Sequence, residues 1–587
     1  MAHTVHTTST EAIRVASVEE LKQQGCIVVT EGPGPIAVFY HDGNVHAVDN
    51  RCPHMGFPLH RGTVQDGILT CHWHHAQFDL VSGCTFNLFA DDVPTYPVEV
   101  RDGGVYLTPL RDRSGEVAYW KQRLQEGLEQ SITLVIAKAI IALLKAGIPY
   151  QEIVDIGAKY GVRYRAAGWG SGLTILTAMA NLLPYLHGEE RILPLYQGLL
   201  HVAFDCDGQP PRFDLQPLST TQIPMATLKR WFRHFVEVRD QEGATRCLLT
   251  AVNGGASPAQ LIDLMLAAAT DHFFLDGGHA LDFINKASEM LDHIGWEHAT
   301  TVLPSLIRQV CTARRSEELN SWRHPIDLVP LLRKTFEELP SLLAASNGAP
   351  WPGPAALAEV IVGDDPHATV DALKQSLRNG ATPLQLSQAL AYAAALRIAR
   401  FHTQNEFGDW ITVLHTFTYC NALHQALKRT GSPDLVRGIF HGAMRVYLDR
   451  FLNIPPARLP GERGEVDGPS GADDLLDGFL EALDTQQQVD EASGIVHRYV
   501  SLGHPVDRLF RTFAQALLRE DAEFHSFQML EAGLRQYEEL KGTAESEHVL
   551  IAAARYLAAH APTQRTLNQT ARIAMRLNRG EALYEEE

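Results

Sequence analysis

Cysteine is scarce, with eight in 587 residues at positions 26, 52, 71, 84, 206, 247, 311 and 420. They are scattered too widely for a disulfide framework, which fits a reducing, cytoplasmic setting and leaves thiols free for metal work. Positive charge is in deficit, Lys+Arg 50 against Asp+Glu 69 for a net −19. That balance excludes the basic surface a nucleic-acid partner requires. Long hydrophobic runs are missing too. The most apolar stretch, 132–147, is interrupted by Lys138 and Lys145 and is too short to cross a bilayer, so no membrane span is expected. The opening MAHTVHTTSTEAIRV has no basic segment followed by an apolar one, and secretion is not signalled. There is no strand–GxGxxG–helix fingerprint for a dinucleotide; Gly168-Trp-Gly170-Ser-Gly172 has the glycines but follows a helical pattern, and is expected to be a tight helix-to-helix turn.

What is present changes character along the chain. Residues 11 to about 110 carry short β-branched runs, Cys26–Thr30, Ile36–Tyr40 and Asn44–Val48, punctuated by turns such as His41-Asp-Gly43 and Asp102-Gly-Gly104. From about Glu116 onward the segments are long, rich in alanine and leucine, and spaced as helices: Leu261, Leu264, Met265 and Ala268 fall at i, i+3, i+4, i+7. The fold expected is therefore multidomain, a small all-β domain over 1–112 followed by a large all-α domain over 113–587. Within the latter, four helices open on a glycine and a proline, at Gly147, Gly255, Gly380 and Gly503, roughly 120 residues apart. Each is followed by a second helix and usually a third, giving divergent three-helix repeats near 145–250, 251–375, 376–500 and 501–587.

The strongest chemical signal is Cys52-Pro53-His54 followed, sixteen residues on, by Cys71-His72-Trp73-His74. Two thiolates and two neutral imidazoles, one of each from either loop of a β module, suit a [2Fe–2S] centre with both cysteines on one iron and both histidines on the other. A zinc finger would instead place cysteine with cysteine and histidine with histidine. Met55-Gly56-Phe57-Pro58-Leu59, Phe78-Asp79, Ser82-Gly83 and the closing segments 94–96, 98–100 and 102–107 extend the likeness. Residues 13 to 110 resemble a Rieske domain, which implies Cys52, His54, Cys71 and His74 as cluster ligands. The loops lack the extra cysteine pair of the respiratory-chain type, and Cys84 lies beyond the second loop. The resemblance is thus to the ferredoxin and oxygenase-component type, with a low potential suited to delivering electrons. His60, His72 and His75 flank the loops and read as solvated neighbours.

A chain that continues for hundreds of residues past an electron carrier suggests a consumer of electrons. One segment, His293-Ile-Gly-Trp-Glu-His298, resembles the mononuclear-iron motif of Rieske oxygenases in its His-x4-His spacing, although Met290 stands where that motif has aspartate. The helical region is also similar to the questin oxidase-like family at Phe440-His441-Gly442 with Arg445, at Val413-Leu414-His415-Thr416, and at Tyr196-Gln-Gly198-Leu-Leu-His201. That resemblance implies oxygenation of an apolar or aromatic small molecule. A second iron site is expected where first helices of the repeats hand over to second helices. Its candidate ligands are His279, His402 and His525 with Glu406 or Glu520, and His272 and His415 beside them. The function expected is a Rieske oxidoreductase fed by an external NAD(P)H-dependent flavin reductase. The alternative is an electron-transfer or redox-sensing protein whose helical repeats dock a partner.

Overall fold

The computed structural model describes residues 12–30, 34–109, 115–220, 222–344, 351–464, 468–581 and 583–584. Most of the opening segment MAHTVHTTSTEAIRV lies outside them. The chain folds as a small β domain followed by a large helical region, in two compact units: residues 1–156 with 569–587, and residues 157–568. No described helix is long and apolar enough to cross a membrane.

In the first unit the strands are β1 (Ile13–Ser17), β2 (Cys26–Val29), β3 (Ile36–His41), β4 (Asn44–Asp49), β5 (Thr63–Gln65), β6 (Ile68–Thr70), β7 (Gln77–Asp79), β8 (Thr95–Tyr96), β9 (Val98–Arg101) and β10 (Gly104–Leu107). They form three antiparallel sheets ordered β1-β10-β9, β2-β3-β4-β8 and β5-β6-β7. Three hairpins turn on Asp-Gly pairs, at 42–43, 66–67 and 102–103, with both residues at positive φ. This is the two-residue turn whose twist matches that of the strands it joins. One core gathers Phe39, Phe57, Leu59, Leu69, Phe78 and Leu80 around Cys52 and Cys71, and the other gathers Leu21, Ile36, Val38, Tyr96, Val105 and Leu107.

The compact unit does not stop at residue 112, where the sequence changes texture. Helices Glu116–Glu129 and Thr133–Lys145 belong to it, as does the chain from Gln569 onward. The reason is polar. Arg123 donates to the carbonyls of Leu88 and Ala90 and pairs with Asp91 at 3.2 Å, and Lys138 pairs with the same carboxylate at 3.1 Å. Both cations are buried, so they cannot leave without stranding Asp91.

In the second unit the Gly/Pro openings begin helices as their chemistry requires. Pro258 and Pro383 take the first helical position behind capping boxes, Ser257 with Gln260 and Thr382 with Gln385. The glycines at 168–172 form a turn between helices, Gly170 capping Ser171–Leu182. Four helices, Ser171–Leu182, His279–Ile294, Phe407–Thr430 and Phe524–Leu540, each pack on the next, and the last packs on the first. All four run the same way: their C-terminal parts supply Asn181, Asp292, His293, Gln425, Arg429 and Arg535 to one cavity. The ring is therefore built from the second helix of each expected repeat.

Candidate metal centres

The first ligand loop leaves β4 and the second joins β6 to β7. Each is a tight turn closed by its own backbone: Cys52 N–H donates to Phe57 O at 2.8 Å and Gly56 N–H to Cys52 O at 2.7 Å, while Cys71 N–H donates to Ala76 O at 2.8 Å. His75 sits at φ +61 in the second loop. Left-handed backbone is costly for a residue with a Cβ, so His75→Gly should raise thermal stability by about 1 kcal/mol, readable by calorimetry.

These loops bring Cys52, His54, Cys71 and His74 together with the thiols inside and the imidazoles toward solvent. Cys52 and Cys71 are 2% and 1% exposed, His54 is half-buried and His74 exposed. The His54 and His74 rings lie 4.8 Å apart, edge to face. Cys71, hydrogen-bonded to Cys52, is held down to about 6, and Cys52 is raised in turn. Burial, with Lys138 and His74 adding to it, pushes His54 down to about 4 and keeps its imidazole neutral. His54 Nδ1 is buried with no hydrogen-bond partner. Two thiols, two imidazoles and an orphaned ring nitrogen fit the donor set of a [2Fe–2S] cluster held by two cysteines and two histidines. The flanking histidines are occupied elsewhere: His60 bonds Asn50, and His72 lies 3.3 Å from Thr63 Oγ1.

Lys138, which in the sequence only interrupts an apolar stretch, steadies the first loop by donating to the carbonyls of Pro53 and His54. Lys138→Met should cost about 3 kcal/mol of stability, because it removes one cation from a buried carboxylate. It should also lower the cluster's midpoint potential, because a positive charge beside a ligand favours the reduced state. Denaturation and a redox titration read the two effects separately.

In the helical unit one group of three metal-ligating side chains forms among the described residues. Ligand nitrogens of His279, His415 and His525 all lie within 4.8 Å of one another. His415 Nε2 and His525 Nε2 are 2.7 Å apart. Two ring nitrogens that close share either a proton or a cation. His525 Nδ1 lies 2.7 Å from Glu523 Oε2, a contact that places the proton on Nδ1 and turns the Nε2 lone pair toward the other rings. Burial would raise the Glu523 carboxyl, but the hydrogen bonds from His525 and Ser526 hold it down, to about 2. Burial also pushes His279 down to about 4, and burial with the two neighbouring imidazoles pushes His415 to about 2. Three imidazoles, two of them kept neutral by burial and the third backed by a carboxylate, suit zinc, iron, copper or nickel. Phe283 and Phe524 stand beside His279 at 5.1 and 6.0 Å.

The other residues expected at the helix junctions lie elsewhere, because junctions must satisfy the ends of helices. His402 accepts from Gln404 N–H at 3.1 Å and borders a separate cavity beside Pro455. Glu406 closes a capping box with Asp409. Glu520 is taken by Thr563 at 2.7 Å and Arg565 at 2.7 Å, and His272 sits between Glu317 at 2.8 Å and Glu237 at 3.1 Å. His293 meets Asn181 at 2.8 Å and His298 ends the 3₁₀ turn Trp296–His298; neither joins the cluster. Glu523 is the residue that sequence reasoning missed, although a carboxylate two places before His525 at a helix start was its signal.

Residues 11–97 match the family model described as Rieske [2Fe-2S] domain. Over 96 residues, 16% of this chain and 90% of the relative, the sequence is 41% identical to the 3-phenylpropionate/cinnamic acid dioxygenase ferredoxin subunit of Photorhabdus laumondii. It is 30% identical over 98 residues, 16% of this chain and 80% of the relative, to the ferredoxin component of the alkene monooxygenase system of Xanthobacter autotrophicus. Among solved structures, the ferredoxin of Sphingomonas yanoikuyae B1 matches at 28% identity, covering 17% of this chain and 98% of that one, with a TM-score of 0.16. Its N-terminal domain places the chain in the Rieske [2Fe-2S] domain family, related to the ferredoxin components of oxygenase systems.

Proposed function

We propose that the chain is an oxidoreductase in which the Rieske domain delivers electrons to a redox metal held by His279, His415 and His525 in the helical unit. The observation that carries this reading is the convergence of three imidazoles, with Glu523 behind one of them, in a chain that also holds an electron carrier. The [2Fe–2S] cluster supplies one electron at a time. The protein's own part is to keep His279 and His415 neutral, to orient His525 through Glu523, and to offer an apolar wall. The Phe283 and Phe524 rings, 6.1 Å apart, favour an apolar or aromatic small molecule as substrate. Relatives that serve as ferredoxin parts of dioxygenase and monooxygenase systems favour an oxygenation, with an external NAD(P)H-dependent flavin reductase as the electron source.

The test is metal and acid-labile sulfide analysis of the purified protein. The expected result is two sulfides and three redox metal ions per chain, the third lost in His525→Ala with the sulfide unchanged. Two irons and two sulfides, with no further metal taken up from anaerobic Fe(II), would leave an electron-transfer protein whose helices dock a partner.

A further inference from the structure

The helices that carry His279 and His525 have a second property that their histidines do not explain. On His279–Ile294, positions 279, 282, 286, 289 and 293 share one face, and on Phe524–Leu540 positions 525, 528, 531 and 535 do. Every one of them is polar: His, Asp, Lys, Glu, His on the first and His, Gln, Glu, Arg on the second. Asp282, Lys286 and Glu531 are each only 1% exposed. The two faces meet inside the helix ring. Gln528 Nε2 donates to Asp282 Oδ2, Lys286 Nζ lies 2.8 Å from Glu289 and 2.5 Å from Glu531, and Asn181 Nδ2 donates to both carboxylates at 2.8 and 2.9 Å. At the far end Asn181 Oδ1 meets His293 Nε2 at 2.8 Å, and Glu531 meets Arg535 at 3.2 Å. Glu289, His293 and Arg535 there border a cavity of about 360 Å³.

A stability role alone does not account for this file. Burying charge costs free energy that apolar residues of the same volume would not. Three carboxylates, Asp282, Glu289 and Glu531, face two cations, Lys286 and Arg535, so one acid is in excess. Burial lifts Asp282 to about 7, against the pull of Lys286 and Gln528, while Glu289 is held low. Asp282 Oδ1 and Gln528 Oε1 are buried without hydrogen-bond partners, one helical turn from His279 and His525.

We propose that Asp282, Lys286, Glu289 and Glu531 form a proton relay, about 20 Å long at 1.5 Å per residue, between the cavity at His293 and Arg535 and the three-histidine site. The relay rests on the reading that this site reduces dioxygen. Two-electron reduction to hydrogen peroxide consumes two protons, as does inserting one oxygen atom into a C–H bond with release of the other as water. The electrons come from NAD(P)H through the reductase and the Rieske domain. Asp282, Lys286, Glu289 and Glu531 offer those protons a path inside the helix ring: Lys286 touches both Glu289 and Glu531, and Asp282 stands one helical turn before Lys286.

The experiment uses the full-length, metal-loaded protein, reduced anaerobically with dithionite to its end point and mixed with oxygenated buffer in H2O or D2O. Reoxidation of the cluster is followed by its visible absorption. Wild type should reoxidise faster than His279→Ala and show a solvent isotope effect. Asp282→Asn should keep its metal content yet slow reoxidation on the order of a hundredfold, and Asp282→Glu should restore it. Glu289→Gln, at the cavity end, serves as a second test if Asp282→Asn does not fold. Either amide variant reoxidising at the wild-type rate with the wild-type isotope effect overturns the relay. Wild type reoxidising no faster than His279→Ala overturns the reading beneath it instead.

Discussion

Cys71→Ser bleaches the visible absorption of the protein and abolishes its reduced-state EPR signal, while the far-ultraviolet helical signature survives. The first effect follows because a serine hydroxyl is a poor ligand for the ferric iron that needs two thiolates, and Cys71 sits 1% exposed against Cys52 with no spare donor described at its place. The second follows from the division into compact units. Cys71 packs with Phe57, Leu69, Phe78 and the rest of one β core, so loss of the cluster costs that core and leaves the buried apolar residues of 157–568 in place. Absorption, EPR and circular dichroism on one preparation check all three statements. A Cys71→Ser protein that keeps a Rieske spectrum would remove Cys71 from the ligand set.

The second large effect belongs to the helical unit. His415→Ala should empty the three-histidine site of metal and abolish turnover, leaving the cluster's spectrum and potential as they were. His415 is the ring that both others face: His279 is 4.6 Å from it and His525 4.7 Å, ring centre to ring centre. Removing one of three ligands lowers affinity by orders of magnitude, because Glu523, the carboxylate behind His525, is already held by His525 and Ser526. The helix around position 415 is flanked by Leu414, Phe417 and Leu423, all buried, so the variant folds. Metal analysis beside a thermal melt separates ligand loss from misfolding. Full metal occupancy in His415→Ala would exclude this ligand set.

The β domain was legible because its signals are local. Asp-Gly turns fix hairpins wherever they occur, and four ligands in two short loops need no knowledge of distant chain. The helical site was half legible. Helix starts at Pro258 and Pro383 could be read from the glycine and proline pairs that open them. Which junction residues would converge could not, because it depends on how second helices close into a ring. Placing Glu406 and Glu520 among the ligands failed for a physical reason: residues at helix ends are claimed first by capping and loop charges, as Asp409, Thr563 and Arg565 show. His415, mid-helix, has no such duty and is free to face its neighbours. The break expected near residue 112 is where strands end, but Arg123 and Lys138 tie the following two helices to Asp91 across a sequence distance no local pattern reveals.

The most direct test of electron delivery to a second redox site is an anaerobic reductive titration of the metal-loaded, fully oxidised protein, monitored by EPR. The account predicts two electron equivalents per chain: one appears as the Rieske signal with average g below 2, and the other removes a high-spin ferric signal that His415→Ala lacks. Uptake of a single electron per chain, all of it in the Rieske signal, by protein shown to carry its third metal would contradict it.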